Sequence, residues 1–551
     1  MMPLEERQRP VAPAALRDAL LDARDPEAAV QALSPLEFSH LVLAVGREDA
    51  LELLAAASAE QLKVLIDLEA WRGDRPDRDR LLAWLEPFEE AGPGRLARAF
   101  LALDAELAAL LLLEEIRVYL AEEDEDPGEG HELLPTPDRR VFFEILPTDA
   151  ERAELLKNLL DAMFRRDPSA SVRALLEIRA ALPAELEEQS VRWRNARLGD
   201  LGFPDLEDAL ALYARPGNVP PEQAARSEAV SVGGAVQVPV LYRDVLSGGR
   251  LVPAALAAAP EDRRDELTGA LVLLLNQVLV AERVELADAG GIRKATAGAR
   301  DLLELGLEQC HAASAEPAAA LLLDRGPREI FREGHALTAE LARRARALVR
   351  DGLASGDPPG SLLDPPGGEV LAGLLGQARP RMSCLLDEPP AHGARSFASL
   401  RDVELTAAAL DRAEAAGLLV HRLLGMPGKA LRAIARDCGQ SATLGNAFRT
   451  AAVRRVLGAE SFTIEELSGA ELIAFRQRAI RDTEPATLDP ALAEQIHEGL
   501  QELIARLPER LQDPAREAIR GWLQALVEEL GAIPREDEVD PRFVGSFLVR
   551  P

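Results

Sequence analysis

The sequence predicts an all-α, multi-domain helical array with a superhelical, repeat-like N-terminal domain and at most a few short strands. Three observations support this prediction. The chain is rich in Ala, Leu, Glu and Arg, which favour helices, whereas only 4% of its residues are aromatic. Ser or Thr followed three residues later by Glu or Gln recurs before apolar runs, as at helix starts. Strand-like patterns occur in only two short segments.

The N-terminal domain is predicted to span residues 1–120 and shows the clearest helical pattern. Ser34 is followed by Glu37, and Ser58 by Gln61, so each serine can accept a backbone N–H while the acid or amide reaches back. The two caps lie about 24 residues apart, a spacing typical of stacked helical units. This region therefore predicts a helical-repeat surface rather than a catalytic pocket.

Two breaks in composition divide the rest of the chain. Residues 121–137 are acid-rich and contain Pro and Gly, which predicts an acidic linker. Residues 354–368, ASGDPPGSLLDPPGG, predict a Pro/Gly linker. Between them, residues 138–353 are expected to form a helical domain with minor short strands. Residues 369–551 are expected to form a C-terminal helical domain.

Local patterns predict further elements inside these domains. VFFEIL at 141–146 is the best strand candidate, and VQVPVLY at 236–242 is a second, restricted by its proline to an edge or a bulge. Three more capping boxes predict helix starts at Thr148, Thr463 and Ser468.

Charge and cysteine content exclude several function classes. The formal net charge of −30 disfavours binding to nucleic acid or to anionic membranes, because both need a basic face. No signal peptide and no spanning segment are recognisable, so a cytoplasmic protein without membrane insertion is expected. The three cysteines, Cys310, Cys384 and Cys438, form no CxxC pair and are expected to be free thiols.

Catalytic signatures are missing from the sequence. It has no GxSxG, GxGxxG or HExxH motif, and GMPGKA at 425–430 lacks the spacing of a phosphate loop. No two histidines are spaced to share one face of a helix. We therefore predict no catalytic, cofactor-binding or metal-ligating residues and no cofactor. The acidic run at 122–129 lacks the spacing of a calcium loop, although an acidic divalent-cation sensor stays an alternative.

Two arginine-rich strings are candidate interaction or anion-binding sites. Three arginines within six residues can bind a phosphate or carboxylate, or else pair with nearby acids to fix a helix–turn–helix corner, which is the favoured interpretation. The second string begins a predicted amphipathic helix. The candidate residues are Arg192, Arg194, Asn195, Arg197 and Asp200 in the first string, and Arg328, Arg332 and His335 in the second.

Segments of the sequence resemble two kinds of known protein. WRNARLGDLGFPDLEDALALYA at 193–214, the capped stretch at 33–71 and RGPREIFREG at 325–334 resemble an uncharacterised bacterial family with a domain of unknown function, of delta-proteobacterial type. Residues 33–118 also resemble the superhelical N-terminal domain of MgtE-type magnesium transporters and the helical repeats of the flagellar switch protein FliG. That likeness implies regulation or assembly. Transport is not expected, because no transmembrane part follows.

We expect a non-catalytic cytoplasmic scaffold, or a regulatory protein that acts through protein–protein interaction. Its partner is expected to be another protein, and the sequence leaves the oligomeric state open. Short stacked helices expose broad surfaces suited to partner binding. The alternative is an enzyme of unrecognised type with its site near 192–205 and 328–335.

Overall fold

The computed structural model describes residues 12–121, 133–180, 182–214, 237–376, 379–437, 442–481, 483, 486–533 and 544–550. It contains 25 helices and only short strands in small sheets, which confirms the all-α, multi-helix fold. The chain divides into two compact units, Met1–Glu333 and Gly334–Pro551. The boundary falls within one helix, whereas the linkers at 121–137 and 354–368 stay predictions.

The N-terminal unit consists of short helices in its first third and longer ones afterwards. The helices are Pro13–Leu21, Pro26–Gln31, Pro35–Val45, Leu51–Ala56, Ala59–Glu69, Arg78–Glu90, Pro93–Leu101, Ala105–Leu113, Ala150–Arg166, Pro168–Ala180, Pro183–Asp200, Leu206–Leu210, Val240–Ser247, Leu251–Ala258, Glu261–Ala281, Ala289–Gln309, Ala315–Arg325 and the start of Pro327–Arg350. Its described part also contains a hairpin of Trp71–Arg72 with Arg75–Pro76 and one three-stranded sheet.

Side-chain caps explain where several of these helices begin. The capping box of Ser58 and Gln61 is complete, as predicted. Ser34 also accepts the N–H of Glu37, but its own N–H is bonded to the Gln237 side chain at 2.7 Å. The helix start predicted at Thr148 is wrong by one residue, because the Asp149 carboxylate accepts the N–H of the third helical residue instead.

The small sheet joins two regions that the sequence separates. Strand Ile116–Leu120 pairs antiparallel with Val141–Ile145, and Leu134–Pro135 pairs with the other side of Val141–Ile145. The strand predicted at 141–146 is therefore confirmed. The predicted acidic linker connects strands of one sheet, while its acidic run at 122–129 lies outside the described residues.

The second predicted strand, at 236–242, is wrong over its described residues. Helix Val240–Ser247 begins there, directly after Pro239. Proline lacks an N–H and fixes φ near −65°, so it suits a helix start as well as a strand edge. The apolar residues after it are buried in a helical pattern, and burial of that face decides between the two structures.

A buried polar network joins the first helices of this unit to the later ones. Arg243 forms a buried ion pair with Glu37 of helix Pro35–Val45. The Tyr242 hydroxyl donates to Asn276 Oδ1 at 2.7 Å, and the His40 ring lies edge-on to Tyr242 at 5.0 Å. Burial lowers the pKa of His40 to about 3, so the ring is neutral in the core.

The C-terminal unit is built from helices Gly367–Leu375, Leu400–Gly417, Gly428–Asp437, Leu444–Leu457, Gly469–Ala479, Pro490–Ala505 and Glu509–Gly531. A π-helix, Leu418–Leu423, follows the second of these. Strand pairs Met382–Ser383 with Ala394–Arg395, and Ile480–Arg481 with Thr487–Leu488, are short hairpins.

Only one of the two capping boxes predicted in this unit starts a helix. The box of Ser468 and Glu471 is complete and confirmed. The helix start predicted at Thr463 is wrong, because residues 462–466 form no regular secondary structure and the next helix begins at Gly469. The following residue, Leu467, donates its N–H to Leu548 O at 2.9 Å and forms a parallel bridge with Val549, so the chain end takes these backbone groups.

Candidate functional site

The arginine-rich string lies on a continuous helix, Pro183–Asp200, rather than at the turn itself. The turn follows at Gly202, whose φ is +85°. A Cβ at this position would overlap Leu273 Cδ2, so the turn needs a glycine both for its backbone angle and for its close packing. The helix thus projects Arg194 and Arg197 from a rigid element towards the rest of the N-terminal unit.

Arg194 is buried and bound internally. Its Nε donates to Asp67 O at 2.8 Å and its Nη1 to Gly73 O at 3.2 Å. The guanidinium lies 4.8 Å from the centre of the Trp71 ring, close enough for a cation–π interaction. Trp71 is 3% exposed. Arg194 therefore fastens the end of helix Ala59–Glu69 and the hairpin after it.

Arg197 lies on the same helix as Arg194 and makes a bidentate ion pair with Asp67. Its Nε and Nη2 lie 2.6 and 2.8 Å from the two carboxylate oxygens of Asp67, and Nη2 lies 2.7 Å from Asp104. Lys63 adds a second cation to Asp104 at 2.9 Å. Burial raises the pKa of Asp67, while the hydrogen bond from Arg197 opposes that shift. The pair is closed to any added anion.

The other residues of the first string point outward. Arg192, Asn195 and Asp200 are exposed, and Trp193 between them is 51% exposed. The string therefore has a structural face and a solvent face, and Arg194 and Arg197, two of its three arginines, lie on the structural one.

The second string contacts different elements. Arg332 pairs with Glu329 and donates to Ala211 O at 3.3 Å. Arg328 is half-buried and interacts with another group of the protein. His335 is a member of the C-terminal unit, and burial, with Arg379 adding to it, lowers its pKa to about 4. Because Arg194 faces helix Ala59–Glu69 while Arg332 faces Ala211, the described structure does not bring the strings together as one site.

An apolar cleft elsewhere in this unit was missed by sequence reasoning. It has a volume of about 240 Å³ and lies among helices Pro93–Leu101, Ala105–Leu113, Ala150–Arg166 and Pro168–Ala180. Its rim includes Leu101, which is 45% exposed. The lining residues are Phe100, Leu101, Leu103, Ala105, Ala108, Ala109, Leu112, Met163, Ala170, Arg173, Ala174, Glu177 and Ile178.

An acidic groove of about 820 Å³ lies on the first turns of helix Ala150–Arg166, the helix that also contributes Met163 to the cleft. Helix Arg78–Glu90 forms its other side. Its floor includes Leu82 and Leu155, both buried. Its carboxylates, which far outnumber its single arginine, Arg152, are Asp79, Glu86, Glu89, Glu90, Asp149, Glu151 and Glu154.

The sequence carries a signal for the cleft that is visible only in retrospect. Helix Ala105–Leu113 is apolar almost all round, which predicts burial on every side. Several alanines on its cleft side, among them Ala105, Ala108 and Ala109, leave a shallow depression instead. Which neighbours stand across that depression depends on residues 50 to 70 positions away, and local patterns do not encode such pairings.

The described part of the chain holds no group of three or more His, Cys, Asp or Glu side chains placed to bind a metal ion. None of its helices is long and apolar enough to cross a membrane. The cation-sensor alternative stays a prediction, because the acids at 122–129 lie outside that part.

Comparisons with known proteins point to a family rather than to an activity. A family model described as "Family of unknown function (DUF6178)" matches residues 1–550. No curated protein and no solved structure matches the chain.

Proposed function

The chain belongs to the family of unknown function DUF6178, and from that premise we propose that its N-terminal unit is a cytoplasmic protein-binding scaffold or regulatory interaction module. The observation that carries the proposal is the apolar cleft with its exposed rim residue Leu101. An apolar cleft on a charged, water-exposed surface is typical of a binding site for a partner's apolar side chains.

The occupant that fits this surface is an amphipathic helix of another protein with a basic polar face. The volume of about 240 Å³ suits one or two apolar side chains rather than a whole cofactor. Helix Ala150–Arg166 runs from the acidic groove to the cleft, so cationic side chains of the same partner helix would meet the carboxylates of the groove. The net charge of −30 favours such a partner at long range.

The competing hypothesis, an enzyme with its site near 192–205 and 328–335, has less support. Arg194 and Arg197 already donate to backbone carbonyls and to buried carboxylates, so binding an anionic substrate there would require breaking those contacts. A buried arginine that loses its partners is strongly destabilised.

The likeness of residues 33–118 to superhelical regulatory domains supports the same proposal. Short helices with apolar faces stack there, as the completed cap at Ser58 and the buried ring of Trp84 illustrate. Stacks of this kind present extended surfaces to other proteins. In this proposal the chain is of the delta-proteobacterial type, and the superhelical domains of MgtE and FliG serve as its functional models.

A designed peptide tests the cleft directly. The probe is a fluorescent amphipathic helix of leucine and lysine, titrated with the full chain and followed by anisotropy. Leu101→Asp should weaken binding at least ~10-fold, because it places a charge on the apolar rim, equivalent to about 1.4 kcal/mol. Leu210→Asp is the matched control, since Leu210 is 49% exposed and lies outside the cleft.

The control separates docking from general attraction. Both variants add one negative charge, so a purely electrostatic interaction would strengthen slightly and equally in both. Glu86→Gln combined with Glu90→Gln should weaken binding about 3-fold and flatten its salt dependence. Affinity capture from native cells should recover one stoichiometric protein with the wild-type chain and with Leu210→Asp, but not with Leu101→Asp. Equal affinity of wild type and Leu101→Asp for the peptide would reject the cleft.

A further inference from the structure

A serine and a histidine that no sequence motif joins form a hydrogen-bonded pair in the C-terminal unit. Ser355 Oγ lies 2.9 Å from His421 Nε2, and His421 Nδ1 lies 2.7 Å from Met426 O. A carbonyl oxygen can only accept, so Nδ1 carries the proton of the neutral ring and Nε2 keeps its lone pair. Ser355 therefore donates its hydroxyl proton to Nε2, as a nucleophile does to its general base.

The backbone holds both side chains at places where the chain departs from regular structure. Ser355 is followed by Gly356, whose φ of +125° turns the chain sharply. His421 lies in the π-helix Leu418–Leu423, a type of turn that is frequent at functional sites. Its neighbours Leu419 and Val420 are fully buried, so the ring is carried on a well-packed segment.

A helix start completes the surroundings of the serine. Helix Gly428–Asp437 begins directly against it, because a Cβ on Gly428 would lie 2.9 Å from Ser355 Cβ and would overlap Ser355 Oγ. The first N–H groups of a helix have no acceptor within the helix and carry the positive end of its dipole. Negative charge that develops on an acyl group attached to Ser355 would face these groups.

The electrostatics keep the histidine in the form that a base requires. Burial lowers the pKa of His421, the hydrogen bond to Met426 O acts in the opposite direction, and the nearby Arg422 lowers it further. Arg422 itself donates to Asp351 O at 3.1 Å. The ring is consequently neutral at pH 7. Both members of the pair are partly exposed.

We propose that Ser355 is a nucleophile with His421 as its general base, and that the pair hydrolyses carboxylic esters with a short acyl group. The acyl group is short because Gly428 lies so close to the serine that a Cβ there would overlap Ser355 Oγ. This activity goes beyond the proposed scaffold function and resides in the other unit, so the two proposals stand or fall separately.

The reaction balances without any further reactant than water. Ser355 Oγ attacks the ester carbonyl carbon while its proton passes to His421 Nε2. The carbon–oxygen bond to the leaving alcohol then breaks, and the alcohol takes the proton back from Nε2. Water then attacks the acyl carbon while it passes a proton to the same nitrogen. The bond between that carbon and Ser355 Oγ breaks, Oγ takes the proton back from Nε2, and the carboxylic acid is released.

A fluorophosphonate probe tests the nucleophile in the full chain. Ser355 Oγ should displace fluoride and add one phosphonyl group per chain, located at Ser355 by peptide mass spectrometry. His421→Gln should slow the labelling at least ~100-fold, since a general base contributes typically that much or more. Ser361→Ala is the matched control, because this serine belongs to the same loop and is exposed, and the substitution should leave the labelling unchanged.

The substrate class is tested with 4-nitrophenyl acetate and 4-nitrophenyl octanoate. The acetate should be hydrolysed faster, and Ser355→Ala should abolish the difference from the background rate. Absence of labelling in the wild-type chain, labelling on another serine, or equal rates in folded His421→Gln would overturn the proposal and leave the pair a structural tie. Labelling of the wild-type chain at Ser355, or its absence, tests the proposal even if a variant does not fold.

Discussion

Two buried carboxylates on one helix differ in whether a side chain pairs with them. Asp67 and Glu69 both belong to helix Ala59–Glu69 and are 1% and 9% exposed. Asp67 holds Arg197 in a bidentate pair, whereas Glu69 Oε1 has no hydrogen-bond partner among the described residues. Burial raises the pKa of both, and that of Glu69 to about 7. The ion pair at Asp67 stabilises the fold, whereas the cost of burying Glu69 is only partly offset by the charges of Arg47 and Arg80.

The largest effect is expected when the ion pair of Asp67 and Arg197 is broken. Asp67→Ala should destabilise the protein by about 3 kcal/mol, because it leaves Arg197 buried beside a cavity with only Asp104 as its partner. Urea unfolding measures the change. Arg192→Ala, on the exposed face of the same arginine-rich helix, is the control and should stay within ~0.5 kcal/mol of wild type. Equal losses of unfolding free energy in the two variants would mean that the Asp67–Arg197 pair does not stabilise the fold.

A smaller effect of opposite sign is expected at Glu69. Its pKa is raised in the folded state, so the unfolded chain releases this proton at lower pH than the folded chain does. Stability is therefore lost as pH rises between the ordinary glutamate pKa and about 7. Glu69→Gln should stabilise the protein by about 2 kcal/mol at pH 8 and have little effect at pH 4.

Unfolding at several pH values, compared between wild type and Glu69→Gln, measures this difference. Glu86→Gln is the control, since Glu86 is exposed and its neutralisation removes no buried charge. If Glu69→Gln destabilises the protein at pH 8, the carboxylate has partners that offset its burial, and the contrast with Asp67 disappears.

The smallest effect concerns the start of the same helix. Ser58→Ala should cost about 1 kcal/mol, because the complete capping box satisfies two backbone donors reciprocally. Ser34→Ala should cost less, since Ser34 accepts one N–H while its own N–H is held by Gln237 in either case. Thermal unfolding of both variants in parallel gives the order, and the reverse order would contradict this account of the caps.

The sequence predicted what depends on neighbouring residues. The all-α class, the strand at 141–146 and the boxes at Ser58 and Ser468 follow from local propensity and from caps three residues apart. The errors at Thr463 and at 236–242 arose where distant contacts decide. The chain end takes the backbone groups of Leu467, and burial favours a helix after Pro239.

The candidate residues show the same limit. The arginines of 192–200 were recognisable as a group, but their partner Asp67 lies 130 positions earlier in the chain. Ser355 and His421 are 66 positions apart and share no motif. Only the fold decides whether an arginine is already paired or a serine is activated. A conspicuous segment of the sequence therefore does not by itself identify an available binding site.

The small sheet of the N-terminal unit has a practical consequence for protein engineering. Strands Ile116–Leu120 and Leu134–Pro135 lie on opposite sides of Val141–Ile145, so the chain leaves the sheet from one outer strand and returns to it in the other. Closing a longer segment between two such fixed ends costs only about 0.6 kcal/mol for each doubling of its length. The acid-rich segment is thus a natural insertion point for a fluorescent reporter, which would mark the protein in living cells without altering either strand.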